Sequence, residues 1–302
     1  VSEIPETDVG LGIGSNTQIA QAVQKALDGQ RVSAFGDKAD LPLNGDRVLS
    51  TANYSAYLKI AEGCDNRCSF CAIPLIRGGF RSRRMEDILE EARGLAASGV
   101  KELNLVAQDT TRYGQDLYGE YSLDKLLTEL CKIDGFHWIR VLYGYPDRVT
   151  DSLLEVMARE PKVVKYIDLP LQHASGRVLK EMNRNGNFDS LCALMQRIRS
   201  KVPGVVLRTT LIAGFPGETE EDFEETMDVV RRVRYDSAFT FIYSKRTGTP
   251  AAAMEQVPED VVKERFDRLL KEVQKISSEV CGRDLHTLSL IHISEPTRLD
   301  VI

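Results

Sequence analysis

The chain has 302 residues but no run of about eighteen apolar residues, which is the length a helix needs to cross a bilayer. Its first residues, Val-Ser-Glu-Ile-Pro-Glu, have neither the basic nor the apolar stretch of a secretory signal. The sequence therefore predicts a cytoplasmic protein with no membrane partner.

An excess of positive charge is also absent, because the net charge at pH 7 is −6 and the pI is about 5.5. This balance disfavours a chain that acts as a whole as a nucleic-acid clamp. The length and the hydrophobic content of 42% allow one large core or two smaller ones.

The cysteines do not have the distribution of a disulfide framework, which belongs mainly to small proteins of oxidising compartments. Three of the six lie in one short loop, as Cys64, Cys68 and Cys71 in a Cys-x3-Cys-x2-Cys pattern. Thiolates hold iron–sulfur cubanes, which usually have four cysteine ligands. Three ligands leave one iron atom without a protein ligand, as catalytic metal sites leave an open position. The spacing thus predicts a cluster that can bind a further molecule.

A structural zinc site is the main alternative, but it needs a fourth Cys or His close by. The next candidates, Cys131 and His137, lie some sixty residues further along the chain. Cys131, Cys192 and Cys281 each stand alone on a helical pattern. Since free cysteine is among the most buried residue types, we expect these three to pack in the core.

The middle of the chain alternates short apolar runs with helical patterns. The strand candidates are 56–61, 102–107, 138–143, 166–171, 205–213 and 238–243. The helical patterns lie near 84–98, 122–133, 150–159, 174–183, 187–201 and 219–233. Six such units imply an α/β fold with parallel strands and right-handed crossovers. They predict a barrel or partial barrel whose chemistry lies at the C-terminal strand ends, followed by a long helix over 259–281 that opens after Pro258.

Several segments also resemble a known family, over residues 54–282. They are Tyr57-Leu-Lys-Ile-Ala-Glu-Gly-Cys64, Arg77-Gly-Gly-Phe-Arg-Ser-Arg83, Gln108-Asp-Thr-Thr-Arg-Tyr-Gly114, Asp168-Leu-Pro-Leu-Gln-His173, Gly214-Phe-Pro-Gly-Glu-Thr219 and Gly248-Thr-Pro250. In order and content they resemble the core of the radical S-adenosylmethionine (SAM) methylthiotransferases, which replace a C–H bond by C–SCH₃. The resemblance implies a partial, TIM-like (β/α)₆ barrel and a transferase.

The resemblance further implies two cofactors. One [4Fe–4S] cluster would be held by Cys64, Cys68 and Cys71, and SAM would chelate the open iron. One electron, from a donor such as flavodoxin or ferredoxin, would then cleave SAM and give a radical that removes hydrogen from an unactivated carbon. The cofactors do this chemistry, while the protein positions and shields them.

Candidate SAM contacts lie at or near strand ends. They are Phe70, which could pack on the adenine, Gln108, Gln172, Arg208, Gly214 and Gly217. Glycines there permit a close approach of the backbone to a ligand, but the same turn also fits a helix start with Thr219 as N-cap. An Arg on an apolar strand, such as Arg208, needs an anionic partner. His173 fits a core histidine as well as a catalytic one.

Different segments of the chain favour different substrates. Segments 108–114, 145–147 and 168–173 resemble the branch that modifies an aspartate of ribosomal protein uS12. Segment 237–251 is more similar to the sister branch, which modifies isopentenyl-adenosine in tRNA. More of the chain resembles the uS12 branch, which is therefore favoured. The chain is also expected to be a monomer. A non-catalytic module that binds the ribosome, with zinc or no metal, is an alternative of another class.

The resemblance also predicts how the chain is divided. Residues 1–50 correspond to the C-terminal remnant of the family's N-terminal α/β domain and a linker, and 51–282 to the radical SAM core with its C-terminal helix. Residues 283–302 are predicted to be a non-native tail, because 288–298 resembles a translated sequencing adapter, and no RNA-binding TRAM module follows. Complete family members carry three more cysteines for a second cluster, and 1–63 contains none. We therefore expect cluster and SAM chemistry here, but not sulfur insertion.

Overall fold

The computed structural model describes residues 4–45, 47–49 and 52–282. The predicted non-native tail, 283–302, lies outside the described residues. Within them, no helix is both long and apolar enough to span a membrane. Residues 4–45 contain a small parallel pair, strand β1 (Val9–Leu11) with strand β2 (Val32–Ala34), joined through helix α1 (Ile19–Leu27).

The rest of the described chain forms an alternating α/β unit. Its strands are β3 (Ser55–Lys59), β4 (Ala61–Glu62), β5 (Arg81–Ser82), β6 (Glu102–Val106), β7 (Trp138–Val141), β8 (Tyr166–Asp168), β9 (Val206–Ala213) and β10 (Ser237–Ile242). Its α-helices are α2 (Ile73–Arg77), α3 (Met85–Ala97), α4 (Gln115–Tyr118), α5 (Leu123–Cys131), α6 (Asp151–Arg159), α7 (Gly176–Glu181), α8 (Phe188–Lys201), α9 (Glu220–Val233) and α10 (Glu259–Cys281).

Six of these strands form the wall of an open barrel. β3, β6 and β7 pair in that order and in parallel, as do β8, β9 and β10. The two groups meet through a parallel bridge between Ile139 and Val163 and a hydrogen bond from the Gly144 amide to the Asp168 carbonyl at 2.9 Å. In the described residues, β3 and β10 do not pair with each other. The predicted partial (β/α)₆ barrel is therefore confirmed.

The strand ends differ from the prediction for physical reasons. The run predicted over 166–171 pairs only as far as Asp168, because Pro170 has no amide hydrogen to donate to a ladder. The run predicted over 56–61 divides, because β3 pairs with β6 whereas β4 pairs antiparallel with β5. The chain thus leaves the barrel wall just before the cysteine loop.

Helix α10 begins directly after Pro258, as predicted. Its buried apolar residues, Val262, Leu269, Val273 and Ile276, recur at helical spacing and form one face. That face packs against α9, β9 and β10, so the helix closes one side of the barrel core.

Candidate functional site

The three clustered cysteines share one cavity. Cys64, Cys68 and Cys71 all line a space of about 370 Å³. Residues that follow the C-terminal ends of β6, β7 and β8, such as Gln108, Tyr143 and Gln172, line it as well. The cavity therefore lies where parallel α/β barrels carry their chemistry.

Hydrogen bonds fix the cysteine loop at both sides. The Ser69 amide donates to the Met182 carbonyl at 3.0 Å, and the Ser69 hydroxyl donates to the Glu181 carbonyl at 2.7 Å. The Ser69 carbonyl in turn accepts from the Ala251 amide at 2.9 Å. Because these bonds use backbone groups of distant segments, the protein itself sets the positions of the three thiols.

Burial keeps the thiols of Cys64 and Cys71 neutral near pH 7. It raises the pKa of Cys64 to about 11, with a further rise from the nearby carboxylate of Asp109. Burial also raises the pKa of Cys71. A thiol in such surroundings becomes a thiolate when it binds a metal centre, which releases the proton.

The three cysteines are not grouped as the ligands of a single metal ion would be. Among the described residues, no three Cys, His, Asp or Glu side chains are grouped so that they could hold a single ion. A cubane binds each thiolate at a different iron atom, and its three cysteines can stand farther apart than the ligands of one zinc ion. The shared cavity fits a cluster better than the zinc site considered from the sequence.

Three side-chain amide oxygens in the cavity wall lack a hydrogen-bond partner. Gln108 Oε1, Gln172 Oε1 and Asn66 Oδ1 are buried and accept no hydrogen bond. Most buried polar groups in proteins are paired, so these acceptors mark where a polar ligand with hydrogen-bond donors would sit. Gln172 also has a positive φ of 75°, an unfavourable conformation for a non-glycine residue that is typical of functional positions. An amino acid and nucleoside such as SAM fits this wall.

Phe70 supplies an apolar part of the same wall. Its ring meets the edge of Phe215 with centroids 6.4 Å apart, and Phe215 packs in turn on Tyr243 at 5.6 Å. This row of rings holds Phe70 at the rim, where a flat heterocycle could lie against it.

Arg208 does not line the cavity. It extends from β9 to Asp168, with Nη1 3.7 Å from Oδ2, and donates to the Tyr166 hydroxyl at 3.0 Å. Its guanidinium lies 3.9 Å from the ring centroid of Phe239. Burial raises the pKa of Asp168, and the charge of Arg208 partly offsets that rise. The anionic partner that the sequence demanded is therefore Asp168, and a contact of Arg208 with SAM stays a prediction.

Gly214 and Gly217 also lie outside the cavity lining. The turn that contains them leads into α9, where the Asp222 amide donates to the Thr219 hydroxyl in a capping box. The helix-start interpretation is thereby confirmed. The Gly214 amide donates to the carboxylate of Glu218 at 3.1 Å, and a role of the two glycines in binding a cofactor stays a prediction.

The two glycines permit a matched test of close packing. Both have a φ of 76°, but a Cβ on Gly214 would lie 2.5 Å from the methyl carbons of Val262, whereas Gly217 has open space. We expect Gly217→Ala to cost about 1 kcal/mol through the left-handed backbone. Gly214→Ala should cost about 1–3 kcal/mol more, because α10 must shift. Urea unfolding would measure both, and equal losses would contradict a close approach at Gly214.

The arginines beside the cysteine loop have partners within the protein. Arg77 pairs with Glu62 at 3.4 Å, Arg81 donates to the carbonyl of Ala39 at 2.6 Å, Arg83 pairs with Glu91 at 2.7 Å and Arg84 pairs with Asp87 at 2.6 Å. Burial works against the charge of Glu62, but Lys59 and Arg77 hold the pKa of this carboxyl below its usual range. These cations thus serve the structure around the loop.

His173 is a buried member of another network. Its Nδ1 accepts from the Ser175 amide at 3.0 Å, so Nε2 carries the hydrogen and donates to Glu218 at 3.2 Å. Glu218 also accepts from Arg265 of α10 at 2.9 Å. The arrangement matches the core histidine that the sequence analysis considered.

Sequence reasoning did not assign Arg184 or Tyr145 to the site, although Tyr145 begins the segment 145–147 that resembles the uS12 branch. Both residues line the cavity. Arg184 Nη1 lies 3.6 Å from the sulfur of Cys68, although 116 residues separate the two in the chain. Its guanidinium stacks on the ring of Tyr145 at 4.3 Å. No local pattern around Arg184 signals this contact, because it arises only when the loop after α7 returns to the cysteine loop.

Comparison with protein families and curated proteins gives consistent findings. The model of the radical SAM superfamily matches residues 58–230. The chain is 52% identical over 279 residues to the ribosomal protein uS12 methylthiotransferase RimO of Pelotomaculum thermopropionicum, covering 92% of this chain and 63% of that protein. It is 47% identical over 270 residues to the protein of the same name from Clostridium tetani, covering 89% of this chain and 61% of that protein. The chain thus spans less than two thirds of the length of these relatives.

Solved structures resemble the chain in fold. Coproporphyrinogen III oxidase (HemN) of Escherichia coli, described as a radical SAM enzyme, has a TM-score of 0.56 at 17% identity over 73% of this chain and 52% of that one. The radical SAM methyltransferase TsrM of Kitasatospora setae, with cobalamin and a [4Fe–4S] cluster bound, has a TM-score of 0.54 at 16% identity over 65% of this chain and 38% of that one. At these identities the likeness concerns the barrel alone.

Proposed function

The chain belongs to the radical SAM superfamily, and we propose that it is the radical SAM core of a methylthiotransferase that acts on an aspartate of ribosomal protein uS12. The observation that carries this proposal is the single cavity in which three cysteines meet unpaired amide oxygens. Similarity to relatives named for uS12 supports the choice of substrate.

The residues of the cavity have different proposed roles. Cys64, Cys68 and Cys71 would each bind one iron atom of a [4Fe–4S] cluster, and Gln108 and Gln172 would accept hydrogen bonds from SAM beside it. When bound and reduced, the cluster supplies the electron that cleaves SAM so that hydrogen can be removed from the substrate carbon. Phe70 would shield the nucleoside from water. Contacts of Arg208, Gly214 and Gly217 with SAM are also part of the proposal, although these three residues lie outside the cavity lining.

The proposal also includes the partners of the protein and the division of its chain into segments. The substrate is uS12, and the electron comes from a low-potential donor such as flavodoxin or ferredoxin. A ribosomal substrate implies that the protein works in the cytoplasm. We also propose that it acts as a monomer. We propose that the core extends over 51–282, with residues 1–50 as a separate preceding segment.

One observation favours tRNA as a second candidate substrate. Segment 237–251, which resembles the tRNA branch, begins with β10 at the open edge of the barrel. Phe239 and Phe241 of this strand are about half exposed, and exposed aromatic rings can stack on unpaired bases.

Isotope transfer separates the two substrates without requiring sulfur insertion. The reconstituted chain would receive SAM and reductant, with a uS12 loop peptide whose aspartate carries deuterium on its Cβ. We expect deuterium in the 5′-deoxyadenosine product with this peptide, and a much slower reaction with isopentenylated tRNA. Deuterium transfer from labelled tRNA instead would overturn the uS12 assignment. Zinc in place of iron, with no cleavage of SAM, would favour a non-catalytic module.

A further inference from the structure

Arg184 is a half-buried cation aimed at a cysteine of the cluster loop. Its Nη1 lies 3.6 Å from the sulfur of Cys68, and Arg184 lines the same cavity as the three cysteines. In the part of the chain that the structure describes, no other Lys or Arg donates to a cysteine of this loop.

The guanidinium is fixed before any ligand arrives. Its Nη2 donates to the Pro170 carbonyl at 2.5 Å, and its plane stacks on the Tyr145 ring at 4.3 Å. Tyr145 is itself 8% exposed, so the ring cannot move freely. A planar guanidinium that is held in this way loses little conformational freedom on forming a further hydrogen bond.

In the described part of the chain, Arg184 has no carboxylate to balance its charge. Within the described residues, no carboxylate forms an ion pair with it, although most buried arginines have an anionic partner. A neutral thiol is a weak acceptor, so Cys68 in that form does not meet the need. A thiolate that binds a cluster carries negative charge and would provide the missing anion.

We propose that Arg184 is a positioning residue that raises the reduction potential of the cluster through Cys68. This inference rests on the proposed function. Reduction transfers one electron from the donor to the cluster, with no bond made or broken, and adds one negative charge beside Arg184. A fixed cation stabilises the reduced form more than the oxidised form, and hydrogen bonds to the cysteine sulfurs help to set such potentials.

The test is an EPR-monitored redox titration of the reconstituted chain without SAM. Arg184→Met, which removes both the charge and the donor, should lower the ratio of reduced to oxidised cluster at a fixed potential about tenfold, or about 59 mV for one electron. Arg184→Gln keeps a donor and should fall between wild type and Arg184→Met. Arg184→Lys keeps the charge and should stay closer to wild type than Arg184→Gln.

The control is Arg197→Met on α8, a position that is outside the cavity lining and partly exposed, which should leave the potential unchanged. One potential shared by wild type, Arg184→Met and Arg184→Gln, at equal iron content, would overturn the inference and leave the proposed function standing. A wild-type chain with no reducible cluster would instead overturn the proposed function. If Arg184→Met does not assemble the cluster, the comparison of Arg184→Gln with Arg184→Lys decides.

Discussion

Cys64→Ala is expected to leave the chain without a stable cluster and to lower SAM cleavage to the level of a protein-free control. Cys64 is one of three thiols that meet in the cavity, and two thiolates would leave a second iron atom without a protein ligand. Because the cluster supplies the electron for cleavage, its loss removes the reaction rather than slowing it. Iron content, acid-labile sulfide and 5′-deoxyadenosine formation after anaerobic reconstitution would measure the effect.

Cys281→Ala is the matched control. Cys281 ends α10 and is exposed, so the core packing expected for it from the sequence is wrong. The same substitution there should leave iron content and SAM cleavage unchanged. Retained iron and SAM cleavage in Cys64→Ala would contradict the assignment of the cysteine loop. Parallel loss in both variants would show that the effect of Cys64→Ala is not specific to the cysteine loop.

Glu218→Ala is expected to destabilise the chain by about 3–5 kcal/mol, the usual loss when one partner of a buried ion pair is removed. The Glu218 side chain is fully buried, and its carboxylate accepts from Arg265, His173 and the amide of Gly214. The substitution leaves a buried guanidinium short of one partner and an amide unpaired. Because Arg265 lies on α10, we expect the docking of this helix on the barrel to weaken. Urea unfolding of the cluster-free chain would measure the loss.

Glu225→Ala provides the comparison for this loss. Glu225 lies on the exposed face of α9, and substitutions at such positions usually change stability by no more than about 0.5 kcal/mol. If Glu218→Ala proved as mild as Glu225→Ala, the buried network would not hold α10 in place.

The barrel could be predicted because its elements follow local rules. The helix expected over 187–201 is found at Phe188–Lys201, where Asn187 forms a capping box with Ser190. The strand expected over 205–213 is found at Val206–Ala213, with alternate residues buried. Helix α2 was missed because five residues that include Pro74 give too short a pattern to stand out from the cysteine loop.

The site could be predicted only in part, for a related reason. Gln108 and Gln172 directly follow predicted strands, and the cysteine loop comes shortly after another. The parallel topology gathers these strand ends at one edge. Arg208 also lies on a predicted strand, but its place three residues into β9 directs it to Asp168 rather than to the cavity lining. Arg184 reaches Cys68 from a distant loop, and no periodicity or motif encodes such a contact.

The central claim is that the three cysteines hold one cluster with an iron atom open to SAM. EPR spectroscopy of the anaerobically reconstituted and reduced chain, recorded before and after SAM is added, tests it most directly. The account predicts a reduced [4Fe–4S] signal from one cluster per chain, with a spectrum that changes when SAM binds. The absence of a reducible signal, or a spectrum that SAM leaves unchanged, would contradict it.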